Sequence, residues 1–152
     1  MTGGLVGFSY SSRVSLCSVE GTISGVRIVG GLAGHALGTR ISQCAANASV
    51  SGEITGGLIG DSKECAIEEC TAIGQLENSR IEGGLIGKSY SSHISNCCSR
   101  CDLIADYEPR FVAVGLPNNR RYGGFIGISN YDVAKMCYSA GHVAYSDPTT
   151  DS

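Results

Sequence analysis

The chain has 152 residues, enough for one domain with its own core. Its formal net charge is −3 with a low charged fraction, which argues against a nucleic-acid binder and offers no polybasic patch for a membrane surface. No apolar run approaches the roughly 18–20 residues of a membrane-spanning helix, so no membrane insertion is expected.

Glycine sets the organisation, with 22 residues against three prolines and no tryptophan. The motif Gly-Gly-(Leu/Phe)-x-Gly begins at Gly3, Gly30, Gly56, Gly83 and Gly123. The first three gaps are 27, 26 and 27 residues and the last is 40, so the fourth unit carries about 13 extra residues. Met1 to Leu5 already belong to the first unit, with no signal peptide before them. The abrupt start favours a piece of a longer chain over a protein that stays inside the cell.

Other positions repeat in step. Fourteen residues after each start stands a cysteine: Cys17, Cys44, Cys70, Cys97 and Cys137. Eleven after come Val14, Ile41, Ile67, Ile94 and Ala134, and twenty after come Ile23, Val50, Leu76, Leu103 and Val143. Eighteen after is a small column, Gly21, Ala48, Gly74, Cys101 and Gly141. Helical spacing is missing, and Gly, Ser and Asn interrupt each unit. A period near 27 fits one turn of three short strands with corners, and stacked turns at ~4.8 Å align equivalent residues into ladders. The expected fold is all-β: a parallel β-helix solenoid of about five coils over 1–145, with an insertion at 102–122 and a polar tail at 146–152. The expected turn glycines are Gly3, Gly4 and Gly7, then Gly30, Gly31 and Gly34. Gly56, Gly57 and Gly60, Gly83, Gly84 and Gly87, and Gly123, Gly124 and Gly127 follow, each set supplying positive φ and close backbone approach at one corner.

The unit Gly-Gly-Leu-Val-Gly, then Val/Ile, then Cys, then Gly-x-Ile/Val resembles the GLUG repeat, in five copies across residues 3–145. The resemblance implies right-handed β-helical coils and a place in large surface proteins, including adhesin-like proteins and IgA-specific metallopeptidases, where the repeat is not catalytic. It implies a cell-surface or extracellular location, while the lack of a signal peptide leaves an intracellular one open. The zinc-binding His-Glu-x-x-His motif is absent, so no peptidase activity carries over. The cysteine content and the long fourth unit depart from the family.

Several residues invite a functional reading beside a bland one. The cysteine column reads as a reduced ladder of buried thiols, since rung spacing exceeds disulfide geometry. Cys98 and Cys101 have C-x-x-C spacing, and with His93 they form a metal candidate short of the four ligands a structural zinc needs. A local disulfide through Cys98 or Cys65 is the alternative. The insertion holds Tyr107, Arg110, Phe111, Arg120 and Arg121, residue types used at protein interfaces, or else it only covers a flank of the coil. The stripe Val6, Ala33, Ile59, Ile86 and Ile126 is an exposed contact surface if the strand alternates, and core if a corner turns both columns inward. The column Ser12, Thr39, Cys65, Ser92 and Asp132 is too irregular for an ice-binding face.

No catalytic residue and no cofactor are expected. Glu64, Glu68 and Glu69 cluster in one coil, and nucleophile-elbow and P-loop motifs are absent. Three functions remain: a non-catalytic stalk, spacer or adhesive module, with its parent chain or a host or matrix ligand as partner; a structural protein that self-associates through its coil ends into filaments or onto a larger assembly; and a carbohydrate-active enzyme, which needs converging carboxylates.

Overall fold

The structure, a computed structural model, describes residues 1–106 and 121–146, with side chains to 104 and from 121 to 144. It is all-β and parallel throughout, a stack of coils as the repeat predicts. The first coil is β1 (Thr2–Gly3), β2 (Val6–Tyr10), β3 (Arg13–Ser15) and β4 (Ser18–Ser24). The second is β5 (Ile28–Gly30), β6 (Ala33–Leu37), β7 (Arg40–Ser42) and β8 (Ala45–Ser51). The third is β9 (Ile54–Gly56), β10 (Ile59–Lys63), β11 (Ala66–Glu68) and β12 (Thr71–Glu77). The fourth is β13 (Ile81–Gly83), β14 (Ile86–Tyr90), β15 (His93–Ser95) and β16 (Cys98–Asp106). The fifth is β17 (Arg121–Gly123), β18 (Ile126–Asn130), β19 (Val133–Lys135), β20 (Tyr138–Ser139) and β21 (Val143–Ser146).

The first four coils therefore have four strands each and the fifth has five, not the three expected. Four parallel sheets run along the stack: β1-β5-β9-β13-β17, β2-β6-β10-β14-β18, β3-β7-β11-β15-β19 and β4-β8-β12-β16-β20, with β21 also on β16. The extra strand comes from two sharp corners that the glycine pattern does not announce. One lies eight residues after each start, at Ser11, Gly38, Glu64, Ser91 and Tyr131, with φ between 46° and 58°. The other lies thirteen after, at Leu16, Gln43, Glu69, Asn96 and Met136, with φ between 52° and 56°. Left-handed backbone turns the chain while its N–H still reaches the next coil, as in Glu64 N to Tyr90 O at 2.9 Å and Gln43 N to Glu68 O at 3.0 Å.

The motif glycines do not use positive φ; among the described residues the glycines that do are Gly21, Gly38 and Gly74. Their role is close approach. A methyl group on Gly57 would overlap the backbone oxygen of Gly84 and lie 2.6 Å from Cys101 Sγ and 2.9 Å from Ala72 Cβ. The bend at Gly-Gly-Leu also resolves the stripe. Leu58 O accepts from both Leu32 N (2.8 Å) and Ala33 N (3.1 Å), so the strand restarts with its next residue facing the same way. Leu32, Leu58 and Leu85 are buried, and so are Ala33, Ile59 and Ile86 beside them. Both columns are core.

The core is a bundle of columns: the two above, then Ile41, Ile67 and Ile94, Cys44, Cys70 and Cys97, and Val50, Leu76 and Leu103. Each large aliphatic side chain so buried contributes roughly 1.5–3 kcal/mol. Burial is complete in the three middle coils and partial at the ends, where Leu5 is 50% exposed and Cys17 and Cys137 are half-buried.

Candidate functional site

The two left-handed corners share one piece of local chemistry. After the second corner comes the cysteine column, and each thiol donates to the carbonyl two residues back: Cys17 to Ser15 (3.2 Å), Cys44 to Ser42 (3.2 Å), Cys70 to Glu68 (3.1 Å), Cys97 to Ser95 (3.1 Å) and Cys137 to Lys135 (3.2 Å). After the first corner come Ser12, Thr39, Cys65 and Ser92, which donate in the same way to Tyr10 (2.7 Å), Leu37 (3.2 Å), Lys63 (3.2 Å) and Tyr90 (3.3 Å). That column, irregular as a surface, is regular as a set of corner donors. All eight cysteines are free thiols. Burial pushes the Cys44, Cys65 and Cys137 thiols up, Cys101 is pushed up to about 11, and contact with Cys97 followed by burial pushes Cys70 up.

A buried hydroxyl network accompanies the first corner. Ser62 donates to Ser89 (2.9 Å), Ser9 and Thr39 share a hydrogen bond (3.0 Å), and Cys65 N donates to Ser92 Oγ (3.3 Å). The network ends on Asp132, whose carboxylate accepts from Ser92 N (2.8 Å), Ser89 (3.0 Å) and Ser129 (2.6 Å). Asp132 cannot donate like its column mates; it terminates the row as an acceptor.

The outer face of the sheet β2-β6-β10-β14-β18 is the best candidate for a contact surface. Phe8, His35, Asp61 and Lys88 stack in register along it. Phe8 stacks on His35 with ring centroids 5.3 Å apart, and His35 Nδ1 lies 3.3 Å from Asp61 Oδ2, outside hydrogen-bonding alignment. Burial raises the Asp61 carboxyl above its usual range, partly offset by His35 and Lys88. Beside this column Lys63 Nζ sits 5.7 Å from the centre of the Tyr90 ring, and Tyr90 meets Tyr131 edge-on at 5.6 Å. Phe8, Tyr10, Tyr90 and Tyr131 are exposed. Exposed rings beside charges are the chemistry of a contact surface. Sequence reading missed this face because its columns mix residue types; only their shared offset from each motif start marks them.

The metal candidate does not assemble. His93 is exposed on β15, Cys98 is half-buried beside Thr71 Oγ1 at 3.3 Å, and Cys101 is fully buried, three residues along β16 and so on its other face. Among the described residues no three His, Cys, Asp or Glu side chains come together. Asp102–Asp106 continue β16, Arg121 and Tyr122 open β17, and Ser146 belongs to β21 rather than to a tail. Arg121 is exposed; Tyr107, Arg110, Phe111 and Arg120 lie outside the described residues. Beneath the root of the insertion is a buried polar group the sequence did not flag. Thr55 and Ser79 share a hydrogen bond (2.8 Å), Ser79 N donates to the fully buried Glu82 (3.2 Å), and Tyr122 donates to Ser79 O (3.4 Å).

Residues 25–51 match the family model described as the GLUG motif. The chain carries the GLUG motif. The matched segment contains one whole coil, β5 to β8, and the other coils pair with it in register column by column. The matched GLUG unit is thus one turn of the solenoid: Gly30 and Gly31 mark the bend after its first strand, and Cys44 follows its second left-handed corner at Gln43. No curated protein matches the chain.

Proposed function

We propose that this GLUG protein is a non-catalytic structural or binding module of a larger surface or secreted protein, acting as a stalk, spacer or adhesive segment. The observation that carries the reading is the in-register stack itself, with side-chain columns filling its interior. Such a body is stiff along its axis and presents its chemistry on outer faces. The carboxylates of the third coil support a non-catalytic reading. Asp61 is on β10, Glu64 and Glu69 are at the two corners, and Glu68 is on β11, so they are spread around the turn. In the adhesive version, the face of Phe8, Tyr10, His35, Lys63 and Tyr90 meets the ligand.

A second reading, end-to-end self-association, is favoured by the end coils. Both leave core columns partly uncovered: Leu5 and Cys17 at one end, Phe125, Cys137 and Val143 at the other. Another coil of the same kind would cover them, and contacts that do not close make filaments. Electron microscopy of the reduced protein over a concentration series separates the readings. Uniform small particles at every concentration support the module, whereas threads one solenoid wide replace it with the filament.

A further inference from the structure

The cysteine ladder has a geometry that packing alone does not require. Besides its own corner carbonyl, each of four sulfurs lies near a carbonyl of the preceding coil: Cys44 at 3.7 Å from Val14 O, Cys70 at 3.7 Å from Ile41 O, Cys97 at 3.6 Å from Ile67 O and Cys137 at 3.7 Å from Ile94 O. The near-constant pairs of distances mean that every thiol has the same orientation on its coil. Sulfurs so related are separated by the rung spacing, ~4.8 Å. That is far too long for a disulfide, whose sulfurs lie ~2.05 Å apart. It is close to twice a metal–thiolate bond, given a bond of ~2.3 Å.

We propose that the ladder Cys17, Cys44, Cys70, Cys97 and Cys137 is a binding site for soft univalent cations of the copper(I) class, each held linearly between the sulfurs of two successive coils. The donor set selects the ion. A tetrahedral metal needs four ligands, and the described residues bring no three His, Cys, Asp or Glu side chains together. A two-coordinate soft cation needs two sulfurs, and sulfur-only sites favour it over hard ions. On binding, both thiols release their protons to solvent and coordinate as thiolates, each S–H bond being replaced by a sulfur–metal bond. The unit of one cation and two thiolates carries a single negative charge, towards which a backbone N–H is already directed, Cys70 N donating to Cys97 Sγ at 3.4 Å. No oxidation state changes. Cys17 and Cys137, in the first and last described coils, are half-buried.

The test adds silver(I), a soft univalent cation with no redox chemistry here, to the reduced protein in the presence of a competing small thiol. Uptake is read by charge-transfer absorption and by proton release. The chain and its Cys98→Ser variant are expected to retain at least one silver ion each, with about two protons released per ion by the balance above. The Cys44→Ser/Cys70→Ser/Cys97→Ser variant keeps donors to the same carbonyls and is expected to retain none. Equal retention in that variant, or loss in Cys98→Ser, overturns the assignment. Should the triple variant not fold, X-ray absorption of the copper(I)-loaded protein decides the question. Two sulfur neighbours and no others support the ladder; a third sulfur or any nitrogen or oxygen neighbour overturns it.

Discussion

At the scale of single residues, the corners matter most. Ten positions hold left-handed backbone at the two corners, and nine of them are not glycine. Such a conformation costs a non-glycine residue roughly 1–2 kcal/mol, which the inter-coil hydrogen bonds offset. Leu16 is the clearest case, with φ 56° and its side chain 77% exposed. Leu16→Asn should raise stability by about 0.5–1 kcal/mol in urea unfolding, since asparagine tolerates this backbone and no core contact is lost. Gly57→Ala should do the reverse, costing about 1–3 kcal/mol or more, because its methyl group meets backbone and Cys101 at once. The corners explain what the sequence hid. Their side chains point outward, so Ser, Glu, Leu, Gln, Asn, Tyr and Met all serve, and no residue pattern marks them. The glycines were legible as a motif but not in their task, since close approach and positive φ call for the same residue.

Asp61 carries a prediction about pH. Burial raises its folded-state carboxyl above the ordinary range, so the folded state holds the proton more tightly than the unfolded chain does. Its contribution is therefore most favourable at acid pH and declines as pH rises from the ordinary carboxylate range through the raised value. Asp61→Asn should remove that decline. The variant should gain more over the parent chain at pH 7 than at pH 3 in matched denaturation curves; an equal gain at both would mean that His35 and Lys88 fully compensate the burial.

At the scale of elements, the hydroxyl row beside the first corner ties β2, β6, β10, β14 and β18 to the strands that follow them. Its end on Asp132 is a single point of failure: a backbone N–H and two hydroxyls converge there. Asp132→Ala should cost roughly 1–3 kcal/mol, the usual penalty for stranding buried donors, with Ser129→Ala costing less because its bond is exposed. Amide exchange at Ser92 should rise in the first variant and not in the second. The row was readable only as a broken Ser/Thr column, because cysteine, alanine and aspartate interrupt it: Cys65 replaces a hydroxyl donor, Ala36 leaves only its carbonyl, which accepts from Cys65 at 3.3 Å, and Asp132 accepts where the others donate. The aliphatic columns, by contrast, were legible at once, since every coil needs the same apolar group at the same offset.

At the scale of the whole molecule, the account makes the chain a stack of interchangeable coils whose stability is a sum of coils and the contacts between neighbours. The pairing of β17 with β13 fits that view, because Ile81 stands opposite Arg121 despite the longer stretch of chain between β16 and β17. The most direct test removes one coil. Deleting residues 56–82 joins Thr55 to Gly83 and leaves every column in phase, since both lie at equivalent steps of their units. Circular dichroism of the shortened chain should show a β spectrum and a single cooperative thermal transition at a lower midpoint than the parent. Loss of cooperative unfolding would contradict the account, because coils that cannot be removed in register are not repeats of one stacking unit.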